Sequence, residues 1–120
     1  MVIVLEGAIP NKKNNRKQIV VGGRVINIPS KQHEAWHESA QWQLKAQRVH
    51  PIAGPVSIDI DVELGDKRKR DLDGILISIL DLLVDNGTIE DDNNTIVKLI
   101  RIRFSGYGTF KTIIELKSYG

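Results

Sequence analysis

Cysteine is absent from the 120-residue chain. Disulfides and thiolate metal sites are therefore excluded, which fits a reducing, cytoplasmic setting. Long apolar runs are missing too: nothing approaches the roughly 20 apolar residues that a bilayer span requires. The opening MVIVLEGAIP alternates like a short strand. It has neither a basic leader nor a small-residue cleavage site, so it does not read as a signal peptide. No repeat, low-complexity tract or long linker divides the sequence. The expectation is a single domain over residues 1–120, large enough to bury a core without staples.

Net charge is also scarce, at only +2. The distribution says more than the total. Positive charge gathers in NKKNNRK, in KRKR (Lys67 to Arg70) and in KLIRIR (Lys98, Arg101, Arg103), while acid gathers in DLD and EDD. Separate basic and acidic blocks suit a protein that handles phosphate beside carboxylates.

Local patterns order the chain. A first strand ends at Pro10, and a basic loop follows. IVV and RVINI flank Gly22-Gly23, a hairpin signal because such turns need positive φ at both central positions. Ser30 offers an N-cap to a helix reaching about Val49. VSIDIDVEL then alternates, with Ile58, Ile60, Val62 and Leu64 on one face and Asp59, Asp61 and Glu63 on the other. The acids of that strand are expected to face solvent or to pair with Arg101 and Arg103 across strands. A second, strongly apolar helix runs from Asp71 to about Asn86, with Gly87 as its stop. TIVKLIRIRF and TFKTIIELK are expected to form a hairpin across Gly106-Tyr107-Gly108. The order suggests an α+β fold, a largely antiparallel sheet with helices on one side.

The chemistry concentrates in KRKRDLD. Asp71 and Asp73 would point to opposite sides of a regular helix. At a loop-to-helix junction, both can face one space. Asp91 and Asp92 lie past the other end of the same helix and join that space only if the chain folds back. Singly, Asp71 reads as an N-cap and Asp73 as a first-turn acid favoured by the helix dipole. Together the arithmetic differs. Two carboxylates about 4 Å apart repel by roughly 4 kcal/mol at an effective dielectric of about 20, against about 1 kcal/mol from a cap. A converged cluster needs a cation, either the adjacent KRKR or a hard metal such as Mg²⁺. Spacing alone does not choose between these.

The run RKRDLDGILISILDLLVDNGTIEDDNN resembles the signature of the RusA family of Holliday junction resolvases. The shared pattern is a basic run, an Asp-Leu-Asp triplet (Asp71, Leu72, Asp73), a helix containing Asp81, Gly87, and a pair of acids (Asp91, Asp92). The N-terminal half resembles the family as well, through a first strand, a proline, Asn14-Asn15-Arg16 in a basic loop, a hairpin and a helix. The resemblance implies a RusA-like α+β fold, a mainly antiparallel mixed sheet with two main helices on one side. It implies a homodimeric endodeoxyribonuclease, acting in recombination and repair, that uses Mg²⁺ (or Mn²⁺ in its place) and cuts four-way DNA junctions by paired nicks. The catalytic and metal-holding acids would be Asp71, Asp73 and Asp92, with Asp91 as adjacent support. DNA would be held by Lys12, Lys13, Asn14, Asn15, Arg16 and Lys17 and by Lys67, Arg68, Lys69 and Arg70. Arg suits bidentate phosphate contact better than Lys, which singles out Arg16, Arg68 and Arg70.

Two positions depart from the family pattern. Gly74 stands where the family usually has Asn, and Ile77 where it has a functional Lys. Residues 73 and 77 share a helix face, so a cation is missing beside the acids. Lys69, Lys98 and Arg101 are the candidates to replace it; otherwise the chain is a DNA-binding relative with weakened catalysis. A remaining motif is HEAWH, which matches the letters H-E-x-x-H with His33 and His37 on one helix face. Trp36 and Trp42 mark that helix as a packed element, and zinc chemistry ranks far behind the nuclease reading.

Overall fold

A computed structural model describes residues 1–11 and 16–120, with backbone alone considered for 16–19 and 26–29. The alternation of VSIDIDVEL makes it the centre of the structure. This strand, β4 (Val56–Leu64), buries Val56, Ile58, Ile60, Val62 and Leu64 on one face. It is flanked on both sides, in a four-stranded sheet of order β1-β6-β4-β5. The neighbours are β1 (Val2–Glu6), β5 (Val97–Tyr107) and β6 (Lys111–Ser118). A separate antiparallel hairpin joins β2 (Arg16–Val21) to β3 (Arg24–Pro29). Its turn is the expected one, with Gly22 and Gly23 at φ of 57° and 79°.

The sheet is mixed, and the expected hairpin between the last two strands is not formed. β5 runs parallel to β4, and β6 runs antiparallel to β4 on its other side. The chain does turn at Gly106 to Gly108, but it then passes over the end of β4. Gly108 N donates to Leu64 O (2.9 Å), and the Thr109 N–H and hydroxyl both donate to the Glu63 carboxylate (2.9 and 3.0 Å). A Cβ on residue 108 would press into that carboxylate, so glycine permits the crossing. Glu63 thus supplies the acceptors that a tight two-strand turn would otherwise supply itself. The other acids of its face pair across the sheet as expected, Asp61 with Arg103 and Asp59 with Arg101 (3.9 Å).

Helix α1 (Lys31–Ala46) is capped by Ser30, whose hydroxyl accepts from His33 N (3.2 Å). It buries His33, Trp36, Ala40 and Leu44, one stripe at helical spacing. Its last turns seal the outer edge of the sheet. Gln47 accepts from Val4 N (2.8 Å) and donates to Val4 O (2.6 Å), and Gln43 does the same for Glu6 (2.7 and 3.1 Å). Two carboxamides one turn apart thereby stand in for a neighbouring strand along β1.

Helix α2 (Leu72–Asp85) is the crossover between parallel β4 and β5. Ile75, Ile79, Leu82 and Leu83 enter the common core with Ile3, Leu5, Ile58, Ile60, Ile114 and Leu116. Buried Ser78 donates its hydroxyl to Pro10 O (2.7 Å), which ties the segment after β1 to this helix. A second apolar ridge, Leu72, Leu76, Leu80 and Val84, is only partly buried. Gly87, at φ 74°, ends the helix as expected. Among the described residues no helix is long and apolar enough to cross a membrane.

Candidate active site at the start of α2

The basic loop leaves β4 and delivers its charges to the first turn of α2. Asp71 occupies the N-cap position in extended backbone (φ −83°, ψ 123°), yet its side chain makes no capping hydrogen bond. An N-cap aspartate ordinarily spends its carboxylate on the first-turn amides. Here the carboxylate is exposed and lines a cleft of about 360 Å³. Residues 8–11 form one wall, Gln32 of α1 another, and residues 68–71 the third. Asp73 is exposed one position into the helix, and its Oδ1 accepts from Gly74 N (2.8 Å).

The four basic residues divide into two kinds. Arg70 is turned inward: its Nη1 and Nη2 donate to the two oxygens of Asp66 (2.5 and 3.0 Å), and its guanidinium lies 5.1 Å from the Phe110 ring centre. The same Asp66 accepts from Arg68 N (3.0 Å). These hydrogen bonds, Arg70 first and the Arg68 amide second, pull the Asp66 carboxyl down to about 2. Arg70 therefore shapes the loop. Lys67 rests against Tyr107, 5.9 Å from the ring centre. Arg68 and Lys69 are exposed and line the cleft beside Asp71. Lys12, Lys13, Asn14 and Asn15 lie outside the described residues, as do the side chains of Arg16 and Lys17.

Asp91 and Asp92 fall at the other end of α2. The loop that carries them is held at the start of β4, through Ile52 N to Thr88 O (2.9 Å), Gly54 N to a Glu90 carboxylate oxygen (3.0 Å) and Val56 N to Ile96 O (2.7 Å). With α2 rising 1.5 Å per residue, about 20 Å of helix separates this loop from Asp71. Both acids are exposed, and Asp91 accepts from Asp92 N (2.7 Å) and Asn93 Nδ2 (3.0 Å). Among the described residues no three His, Asp or Glu side chains are grouped so as to hold a metal ion. Within one chain, Asp71 and Asp73 thus stand at one end of α2, and Asp91 and Asp92 lie past the other.

Ile77 is half-buried on α2. Of the candidate cations, Lys69 alone shares the cleft with Asp71; Arg101 faces Asp59 (3.9 Å), and Lys98 lies at the far end, next to Val97 and its partner Val56. The histidines of HEAWH are structural. His37 Nε2 meets Asp85 (3.2 Å) and links α1 to α2, while His33 packs edge-on against Trp36.

Three contributors had no strong signal in the sequence. Asp66 is four residues before Arg70 but in a loop, where that spacing carries no rule. Gln32 reaches the cleft only because α1 begins there. Asn11 is betrayed by Gly74: a Cβ on residue 74 would fall inside the Asn11 carboxamide, so the glycine marks a close approach.

The sequence profile of the RusA endodeoxyribonucleases matches residues 8–117. The chain belongs to the RusA family. The assignment makes it a crossover junction endodeoxyribonuclease, a hydrolase of phosphodiester bonds. A RusA relative from Aquifex aeolicus (strain VF5), described as crossover junction endodeoxyribonuclease RusA, is 35% identical over 86 residues, covering 71% of this chain and 67% of the relative. RusA nucleases depend in general on a divalent metal. The described residues of one chain do not by themselves assemble a donor set for one.

Proposed function

We propose that this RusA member is a Mg²⁺-dependent, structure-selective endonuclease that resolves four-way DNA junctions by paired cleavage as a homodimer in the cytoplasm. The whole chain, residues 1–120, acts as one unit. The observation that carries this reading is Asp71, an N-cap residue whose carboxylate is withheld from capping and set in a cleft beside Arg68 and Lys69. A carboxylate with no local structural task, next to cations that can hold a DNA phosphate, is what hydrolysis of that phosphate requires.

Arg68 and Lys69 neutralise phosphates flanking the cut, and Arg70, fixed by Asp66 and Phe110, holds the loop that presents them. Asp71 and Asp73 supply negative charge that would repel the scissile phosphate without an intervening cation. Carboxylates are hard oxygen donors, so Mg²⁺ is the proposed cofactor, with Mn²⁺ able to substitute. A four-way junction has approximate twofold symmetry, and so does a C2 dimer, which gives one site for each of two opposed strands.

Ile77 supports a second reading, a junction-binding relative with weakened catalysis, because an apolar side chain stands where the family has Lys. The two are separated by incubating the protein with a labelled mobile four-way junction and Mg²⁺. Cleavage abolished by Asp73→Asn, with junction binding retained, supports the enzyme. Should Ile77→Lys raise the rate, the missing cation limits this chain; an unchanged rate means that another residue has taken its role.

A further inference from the structure

The β2–β3 hairpin lies in the chain between two walls of the cleft. Residues 8–11 precede it and Gln32 of α1 follows it, and both line the cleft that holds Asp71. The base of the hairpin closes with the pairing of Arg16 and Pro29, directly before the Ser30 cap of α1. From there the strands run six pairs to the Gly22-Gly23 turn, a reach of roughly 20 Å at about 3.4 Å per residue.

The tip is bare on both faces. Val20 pairs with Val25 and Val21 with Arg24, so the two pairs point to opposite sides of the ribbon. Val20, Val21 and Val25 are 72%, 53% and 65% exposed, and Arg24 is exposed as well. Neither face of the tip therefore rests on the body of the protein. A two-stranded ribbon with no covered face is marginal in water, and three valines clustered at its end form a surface that a partner covers.

Charge says which partner. From Gly7 to His33 the chain carries Lys12, Lys13, Arg16, Lys17, Arg24 and Lys31 and no acidic residue. A segment of one sign with an apolar end suits a polyanion that has apolar surface within it, which is DNA. In a continuous duplex that surface is hidden by stacking, and an apolar wedge must first open a base step. At the crossover of a four-way junction the stack is already interrupted, so base-pair faces are open to an apolar side chain.

Resting on the nuclease reading above, we propose that the β2–β3 hairpin is the arm that recognises the branch point. Val20, Val21 and Val25 sit against the base-pair faces at the crossover, while Arg24 and the cations that precede the tip in sequence hold the flanking phosphates. The cleft at the foot of the arm receives the strand to be cut, and preference for branched over linear DNA comes from the tip.

The test needs no cleavage. A four-way junction carrying 2-aminopurine beside the crossover is titrated with the full chain in the absence of divalent metal, and a linear duplex with the same base in its interior serves as control. The probe brightens when it is unstacked. Wild-type protein should raise the junction signal several-fold and leave the duplex signal flat. Val20→Ser combined with Val25→Ser should remove most of that rise and lower the preference for junction over duplex by about tenfold. Val20→Ile combined with Val25→Ile should keep both, which separates a lost apolar contact from a lost hairpin. Arg24→Ala should weaken binding to junction and duplex alike and flatten the salt slope by about 1.

An equal rise with the serine pair, or a rise in the linear duplex as large as in the junction, overturns the proposal. A fall in oligomeric state of the serine pair without DNA, seen by sedimentation, also overturns it and assigns the tip to a second copy. If wild-type protein cuts no junction, the nuclease reading fails and the valine-dependent rise still decides the role of the tip. Normal cutting with a valine-independent signal rejects the tip alone.

Discussion

Asp66 and Arg70 decide what the basic loop can do. The pair is bidentate and partly buried, with Phe110 beneath the guanidinium. Because the folded-state pKa of Asp66 is depressed, its contribution is complete above the ordinary carboxylate range and is lost as pH falls through about 2. Arg70 side-chain NMR signals should therefore hold steady above about pH 4 and broaden toward pH 2. Asp66→Asn should abolish that transition and lower junction cleavage without unfolding the protein. Gly74 gives a second prediction. Alanine there gains helix propensity of roughly 1 kcal/mol, but its methyl group collides with Asn11. Overpacking of this kind costs about 1–3 kcal/mol, so Gly74→Ala should lower Tm, and adding Asn11→Gly should restore it. At this scale the sequence was half legible. KRKR and Asp-Leu-Asp stood out by composition, but the inward turn of Arg70 depends on Asp66 and Phe110, and Phe110 is brought near only by the sheet.

Periodicity identified β1, β4 and α1, because each buries one face at its own repeat, whereas β2 and β3 were marked by the Gly22-Gly23 turn between them. Pairing was less readable. GYG between two apolar strands signals a hairpin, yet Glu63 accepts Thr109 and lets the chain cross over β4 instead. A strand partner 46 residues away leaves no mark on the local pattern. The Gln43 and Gln47 contacts to β1 are equally invisible in a helix that reads as ordinary and polar. They carry a prediction: Gln47→Ala leaves the Val4 amide and carbonyl without their side-chain partner. Hydrogen bonds of this kind contribute about 1 kcal/mol net. Gln47→Ala should therefore lower stability by about that amount and speed amide exchange along β1, with junction cleavage unchanged. The separation of Asp92 from Asp71 needs both the length of α2 and the anchoring of the following loop at the start of β4, and only the first is readable in the sequence.

For the molecule as a whole, a net charge of +2 conceals a basic cleft edge and an acidic opposite end. Binding to DNA should weaken as salt rises, each neutralised phosphate contributing a slope of roughly −0.9 in log affinity against log salt. Arg68→Ala should flatten that slope by about 1 per contact removed, while Arg70→Ala should act mainly by loosening the loop. Isothermal titration across a salt series distinguishes the two. The central claim, that the acids at the start of α2 serve a junction-cutting nuclease, is tested most directly with an end-labelled mobile four-way junction, a linear duplex of the same sequence, and Mg²⁺. The account predicts symmetric nicks on two opposed strands of the junction, little cutting of the duplex, and loss of both nicks in Asp71→Asn. Tight junction binding without cleavage, in Mg²⁺ and Mn²⁺ alike, would contradict it.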